Sequence, residues 1–435
     1  MQQYRKEIWV PKTKPTFNRI ISSLGKIRRS SDWVIMYPDQ NIFTKIREGE
    51  TLEDYCEKKF PYFESVTNWL FAVVLKKYTT DSNGVALVMP LNTDIQPTDF
   101  LQPYPILFDC CDVLEFMYGS HAILVNPLGC TYTTKKGQVE NGKSYYYVDT
   151  VAITKYDQID SKGTMASVDT YEHGLGILPC FKLGGLVCET EGHNFLYESR
   201  IAGILPELDE ALREYSDLQA AKVLHIYPER WEFTQQECAS CKGTGKRRNP
   251  AWYDGCDASI PVQIGCDNQG CNNGYIASGP YSKLLIRPTS ALEGGGSIPN
   301  PPAGYVEKDV EIVKLMENSV RQHIYDGLAA INFQELAEVP MEQSGVAKQV
   351  DRDEQNNTIH AIAEDLVKIM DATYKLIAYY RYKNLYSFEE IDKMLPQIPV
   401  PERFDLFSIT NMQAELNSAK TGKTNPVIVN AMEVD

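Results

Sequence analysis

Five of the chain's eleven cysteines, Cys238, Cys241, Cys256, Cys266 and Cys271, fall within 34 residues, and four of them form two short-spaced pairs. The pairs are Cys238-Ala-Ser-Cys241 and Cys266-Asp-Asn-Gln-Gly-Cys271, separated by 24 residues. Two such pairs on two turns deliver the four thiolates that a tetrahedral zinc ion takes, so Cys238, Cys241, Cys266 and Cys271 are the expected ligands of a structural Zn2+. Glycines follow each pair, in Cys241-Lys-Gly-Thr-Gly245 and Cys271-Asn-Asn-Gly274, where the backbone must fold back toward the sulfurs. Cys256 is left over, either as a substitute ligand or as a spare thiol. Loop cysteines without a metal, and redox chemistry, are the competing readings. No neighbouring His-Glu pairing points to a catalytic metal.

The pairs sit in a stretch, 229–305, that differs in kind from its surroundings. Glu293-Gly-Gly-Gly-Ser297 and Pro299-Asn-Pro-Pro302 give it little means of forming regular structure. A segment so small and loop-rich cannot assemble a hydrophobic core alone, so a metal would do the folding. Within it Lys246, Arg247, Arg248 and Trp252, with Lys242 and Tyr253 beside them, form a basic patch, which reads either as a partner contact or as a solvated loop. The first pair resembles the C-x-x-C-x-G-x-G knuckles of J-domain chaperone zinc fingers, whereas the second is C-x4-C and departs from them.

The remaining six cysteines are scattered through the first 188 residues, and the odd total fits a reducing compartment better than a disulfide framework. Lys and Arg number 43 against 58 Asp and Glu, a net charge of −15, which argues against a protein that coats DNA by releasing phosphate counterions. A length of 435 residues gives a prior of two or three domains. The longest apolar run, Trp69 to Leu75, stops at Lys76-Lys77, short of the roughly 18 to 20 residues of a membrane span. The N-terminus leads into Pro11 and Pro15 with no apolar core of a signal peptide, so neither secretion nor membrane insertion is expected.

Around the cysteine stretch the periodicity changes. Residues 1–202 read as a compact α+β domain: Ser65–Tyr78 as a buried helix, His121–Asn126 and Tyr145–Ile153 as strands, Asn141-Gly142 and Gly184-Gly185 as turns. Leu205, Leu208, Leu212, Tyr215 and Leu218 predict a helix over 203–228, with Glu207, Asp209 and Glu210 in its first turn, where the helix dipole favours negative charge. Ile312, Met316, Val320, Ile324, Leu328 and Ile331 predict a second over 306–333. A third helical stretch covers 344–395. In it Ile362, Leu366, Ile369, Thr373 and Leu376 form one stripe and Val367, Met370, Tyr374 and Ile377 another, so it is buried on two sides, in a core or between subunits. Residues 396–435 end the chain, with one more helix expected over Asn411–Lys420.

No catalytic constellation emerges. Six histidines are dispersed without metal-ligand spacing, Gly422-Lys423-Thr424 lacks the upstream glycine of a phosphate-binding loop because Asn417 stands there, and Gly174-Leu-Gly176 is no dinucleotide fingerprint. The chain is therefore not expected to be an enzyme.

The order of elements, with four short motifs, resembles the portal proteins of tailed bacteriophages. Tyr171-Glu-His-Gly-Leu-Gly-Ile-Leu-Pro179 is similar to the turn before that family's stem, and Glu207 to Tyr227, ending in Tyr-Pro, to its first stem helix. Glu342-Gln-Ser-Gly-Val-Ala-Lys-Gln349 resembles the opening of its long helix, and Arg403–Thr410 with Met412–Lys420 its C-terminal section. The resemblance covers most of 165–435, and the cysteine pairs in the clip are a departure.

The resemblance implies an α+β wing over 1–202, stem helices over 203–228 and 306–333 flanking a zinc-bearing clip over 229–305, a tunnel loop over 334–343, the long helix, and a wing or crown segment over 396–435. It implies a homo-oligomeric ring of about a dozen subunits at one capsid vertex, in the virion and, during assembly, in the host cytoplasm. The implied partners are the major capsid protein, the terminase large subunit, a head–tail connector, and double-stranded DNA that passes without sequence-specific binding. No membrane is implied. Glu335 and Glu338, with Glu207, Asp209 and Glu210, would face the DNA channel, and Lys246, Arg247, Arg248 and Trp252 would meet the clip's partners. An acidic channel suits DNA that must slide without sticking. The alternative is a zinc-stabilised chaperone-like or adaptor protein, suggested by the first knuckle.

Overall fold

The computed structural model of the chain describes residues 13–39, 42–91, 100–134, 137–191, 194–226, 230–233, 238–255, 257, 259–268, 271–272, 275–276, 284–286, 303–305, 310–337, 345–402 and 404. The chain divides into two units, one comprising Pro15–Leu205 and Asp326–Asp435, the other built on Pro206–Tyr325. Helix and antiparallel sheet are mixed throughout the first, as an α+β fold requires.

One buried apolar cluster of the first unit is shared by two sheets. Strands β1 (Val85–Pro90), β2 (Pro103–Phe108), β3 (Val113–Met117) and β4 (His121–Val125) are followed by the hairpin of β5 (Cys130–Thr133) and β6 (Val139–Gly142). Next come β7 (Ser144–Asp149), β8 (Ala152–Gln158), β9 (Met165–Glu172), β10 (Cys180–Lys182), β11 (Leu186–Glu191) and β12 (Asn194–Glu198). One sheet has the order β10-β1-β2 and the other β3-β4-β7-β8-β9, while β11 pairs with β12. Val85, Leu87 and Phe108 from the first pack with Phe116, Leu124, Val148 and Ile153 from the second. Alternate residues of β4 are buried, as a sheet with one covered face demands.

Helix Gly345–Tyr382, 38 residues long, is the unit's organising element. Both of its apolar stripes are covered by its own chain: Ile362, Leu366, Met370, Thr373 and Ile377 are fully buried, and Tyr374 nearly so. The second side therefore needs no neighbouring subunit: of the two coverings expected, a core or a subunit contact, the chain's own core supplies it. Two charged residues on the helix are buried with partners. Asp365 accepts from Tyr78 Oη at 2.7 Å and pairs with Arg200 Nε at 2.7 Å. Arg381 donates to Leu101 O at 2.8 Å and Glu50 Oε2 at 3.0 Å, with its guanidinium 4.2 Å from the Tyr55 ring centre. The helix stops at Tyr382. A separate short helix, Phe388–Asp392, follows, begun by a reciprocal cap between Ser387 and Glu390, so the single helical stretch expected over 344–395 is two helices.

Three other expectations change. Tyr145–Ile153 is two strands, because the Asp149 carboxylate accepts from the amides of Val151 (2.7 Å) and Ala152 (2.8 Å) and turns the chain there. Asn141-Gly142 is no turn but the end of β6; a Cβ on Gly142 would lie 2.9 Å from the Tyr132 ring, so glycine is there for close approach. The Ser65–Tyr78 helix is interrupted by a π-turn at Leu70–Val74, between Val66–Trp69 and Leu75–Thr80. Gly184 and Gly185, expected as a turn, form an irregular link between β10 and β11, at φ +85° and +153°.

The Tyr171–Pro179 motif folds as a loop after β9, with Gly174 and Gly176 at φ +58° and +71°. His173 anchors it, fully buried, with Nε2 2.9 Å from Asp149 O and Nδ1 accepting from Leu175 N–H at 3.2 Å. One ring nitrogen accepts and the other donates, which makes the imidazole neutral, and burial lowers its pKa further.

The second unit is a helix pair with an insertion. Helix Leu205–Ile226 runs antiparallel to helix Val310–Ala329: Glu207 meets His323 at 2.7 Å near one end, and Lys222 pairs with Glu317 toward the other. The second helix ends at Ala329, before the expected 333, with Asn332 in the left-handed region just beyond, at φ +61°. Its stripe is covered only in part: Val320 and Leu328 are buried but Ile312 is 50% exposed, and Leu315, off the stripe, is 70% exposed. The insertion is more regular than its composition suggests. Strand β13 (Arg230–Phe233) lies between β18 (Leu284–Ile286), parallel to it, and β19 (Ala303–Tyr305), antiparallel. Nested between them in sequence are β14 (Lys246–Arg248), β15 (Gln263–Gly265), β16 (Cys271–Asn272) and β17 (Tyr275–Ile276). The helix expected over Asn411–Lys420 lies outside the described residues. Among the described residues no helix is long and apolar enough to cross a membrane.

Candidate metal centre

Each cysteine pair is held by local backbone bonds. Lys242 N–H donates to Cys238 O at 2.7 Å and Thr244 N–H to Cys241 O at 3.1 Å, closing the first knuckle. Lys242, Gly243 and Gly245 take φ of +50°, +82° and +71°. That reversal explains the glycines of Cys241-Lys-Gly-Thr-Gly245 and puts one non-glycine residue, Lys242, in a conformation that costs it on the order of 1 kcal/mol. The second knuckle turns where Cys271 N–H donates to Asn268 O at 2.8 Å.

The two knuckles are brought together by the hairpin between them. β14 pairs antiparallel with β15, matching Lys246 with Gly265, and one step further on Cys266 N–H donates to Gly245 O at 2.9 Å. A residue distant in sequence is thus set beside the first pair by ladder geometry.

The four sulfurs of Cys238, Cys241, Cys266 and Cys271 lie within 4.8 Å of one another. Cys238 Sγ is 3.8 Å from Cys266 Sγ, and Cys241 Sγ 3.7 Å from Cys271 Sγ. A tetrahedral ion with sulfurs at about 2.3 Å has sulfur–sulfur edges of about 3.8 Å, so the cluster fits a four-thiolate ion. Cys238 and Cys241 are buried. Hydrogen bonds from the Asn268 side chain and the amides of Cys241 and Ser240 favour the thiolate and pull the Cys238 thiol down to about 6. An ion held by all four sulfurs would keep no open coordination position, the arrangement of a structural and not a catalytic centre.

Two supporting residues lay outside the sequence reading. Asn268 Nδ2 is 3.4 Å from Cys238 Sγ, and the Thr244 hydroxyl reaches Cys241 O at 2.6 Å and Lys246 O at 2.8 Å, tying the knuckle to β14. Both lie within three residues of a ligand, where donors to thiolate and carbonyl are required, and that position is the signal that could have found them. Cys256 lies outside the described residues.

The basic patch follows the first knuckle directly. Lys242, Lys246 and Arg248 are exposed; Arg248 stacks over Trp252, guanidinium to ring centre 5.0 Å, and Arg247 is engaged in an ion pair with Asp267. Of the acidic residues, Glu207 is paired with His323, Glu210 with Arg213 at 3.1 Å, and Asp209 is exposed. Glu335 is exposed on the 3-10 turn Gln334–Leu336 of the first unit, and Glu338 lies outside the described residues.

In a second group, Asp109, Cys111 and Asp112, the first two are exposed and Asp112 is half-buried, and Lys77 already neutralises Asp109. No protein-family model and no curated protein matches the sequence.

Proposed function

We propose that the chain is the subunit of a tailed-phage portal ring, a non-enzymatic channel for the genome whose clip is folded by one structural zinc ion. The observation that carries the reading is the antiparallel helix pair Leu205–Ile226 and Val310–Ala329 with a metal-compatible cysteine insertion between the two helices in sequence, in a chain whose other unit is α+β. In this reading the helices are the stem, 229–305 the clip, 334–343 the tunnel loop with Glu335 and Glu338, and Gly345–Tyr382 the long helix.

Zinc held by Cys238, Cys241, Cys266 and Cys271 supplies no reaction; it cross-links two knuckles whose composition offers little apolar core. Four thiolates on a divalent ion leave two negative charges, and Lys242, Lys246, Arg247 and Arg248 offset them from the adjoining residues. Exposed Ile312 and Leu315 support oligomerisation, since a neighbouring copy would bury them. Acidic residues along the first stem helix suit a channel that DNA crosses without adhering. The terminase large subunit, a head–tail connector and the capsid protein are the partners of this reading, and the virion its location.

Negative-stain imaging or native mass measurement of the full chain tests it. Rings of about a dozen copies with a central hole are expected, and a monomer or dimer under every condition would refute the proposal. Replacing Glu335 and Glu338 by lysine should leave ring assembly intact and impair packaging.

A further inference from the structure

Two short sulfur–sulfur contacts in the cluster run across the knuckles: Cys238 to Cys266 at 3.8 Å and Cys241 to Cys271 at 3.7 Å. Each cysteine takes part in one such contact, so both pairs can close at once. None of the four is in a disulfide.

We propose that the centre has two covalent states, one closed by zinc and the other by two cross-knuckle disulfides, Cys238–Cys266 and Cys241–Cys271, reached by peroxide oxidation. In each bridge one thiolate attacks a peroxide oxygen and becomes a sulfenic acid, and the facing thiolate then displaces its oxygen as water. Per bridge, two thiolates lose two electrons, one hydrogen peroxide is reduced to two waters, and two protons are taken up. Two bridges consume all four ligands, and the ion leaves as Zn2+.

The pairing decides what happens to the fold. Bridges within the knuckles, Cys238–Cys241 and Cys266–Cys271, would leave the two turns joined only by the β14–β15 hairpin. The cross-knuckle bridges span 28 and 30 positions and fasten the same two turns that zinc fastens. They restrict the open chain over a long loop, which is where a cross-link is most effective. Oxidation therefore exchanges one clamp for another and keeps the basic strand β14 in place.

The biological sense of the exchange rests on the portal reading: a particle assembled in a reducing, zinc-containing cytoplasm later meets an oxidising, zinc-poor surrounding. The chemistry itself does not depend on that reading, so the two fail separately. Imaging decides the ring, and a disulfide map decides the exchange.

The test uses the full zinc-loaded chain and hydrogen peroxide, with released zinc read by a colorimetric chelator and bridges by mass spectrometry of non-reduced peptides. One zinc released per chain, together with Cys238–Cys266 and Cys241–Cys271, is the expected result. The oxidised, zinc-free chain should resist proteolysis between 238 and 272, whereas the reduced, chelated chain is cut there. The double variant Cys238→Ser with Cys266→Ser should form Cys241–Cys271 alone. Bridges within the knuckles, a bridge to Cys256, sulfinic acids without bridges, or zinc retained under peroxide would each overturn the proposal.

Discussion

Helix Gly345–Tyr382 and the cysteine insertion hold themselves together by opposite means. From Ile359 to Tyr382 the helix buries one apolar side chain after another, including three tyrosines below 6% exposure at Tyr379, Tyr380 and Tyr382. Among the residues between 238 and 271 whose burial is described, only Cys238 and Cys241 are buried. Burial at roughly 25 cal/mol per Å2 can stabilise the first region, but it has almost nothing to act on in the second. There the sulfurs must do through a metal what leucines and isoleucines do in the helix, and a few ligands stand in for a whole core. The difference teaches where each region is vulnerable: the helix to changes of volume, the insertion to changes of a single ligand atom.

The strongest way to break this contrast is to remove the metal. Structural zinc sites of this type contribute on the order of 10 kcal/mol. Cys238→Ser, Cys271→Ser or a strong chelator should therefore abolish protease resistance over 238–272 and lower bound zinc from one per chain, while the thermal transition of the α+β unit stays in place. An unchanged insertion in metal-free protein would remove the basis of the comparison.

The converse change comes next. Leu366→Ala, at a fully buried position, should cost the α+β unit about 3 kcal/mol through lost transfer energy and the cavity left behind. Calorimetry would show the shift, and the zinc content should not move.

Asp365 sharpens the comparison by asking how a charge survives in the apolar region. Burial alone would raise its carboxyl, but hydrogen bonds from Arg200 and Tyr78 and the guanidinium charge outweigh that and hold it below the usual carboxylate range. Its contribution is present above the ordinary carboxyl pKa near 4 and is lost as pH falls through the depressed value. Asp365→Asn should cost about 3 kcal/mol at neutral pH by leaving Arg200 unpaired, and should flatten the acid side of the stability profile.

His323 gives the smallest effect and lies in the metal-bearing unit. The hydrogen bond to Glu207 raises its pKa against desolvation, with the charges of Glu214, Glu207 and Glu210 adding to it. The pairing stabilises fully below the ordinary histidine value near 6.5 and fades as pH rises through the raised one. His323→Gln should cost about 0.5 kcal/mol at pH 6 and less above, measured as helix-pair stability, with zinc retained.

Much of the metal centre was legible in the sequence because ligands come in short, regular spacings set by what a turn can reach. Cys238, Cys241, Cys266 and Cys271 could be named from spacing alone. Asn268 and Thr244 could not, since nothing in their identity distinguishes them from other loop residues until the hairpin sets them against a sulfur or a carbonyl. The stripes of the long helix were equally readable, but their covering was not: Ile362 and Ile312 follow the same periodic rule, and one is fully buried while the other is half exposed. Asn141-Gly142 misled for a related reason, because a glycine required for space beside Tyr132 reads the same as a glycine required for a turn.

The sequence by itself determined the local facts: which cysteines pair into knuckles, where the three long helical stretches lie, and which of their faces are apolar. These follow from short-range spacing and from side-chain chemistry that each residue carries wherever it is placed. Only the tertiary structure decided which sulfurs face each other across the knuckles, that the long helix is covered on both sides by its own chain, and that Glu207 answers His323. Those depend on pairings between residues tens to hundreds of positions apart, which strand register and packing fix and local pattern does not.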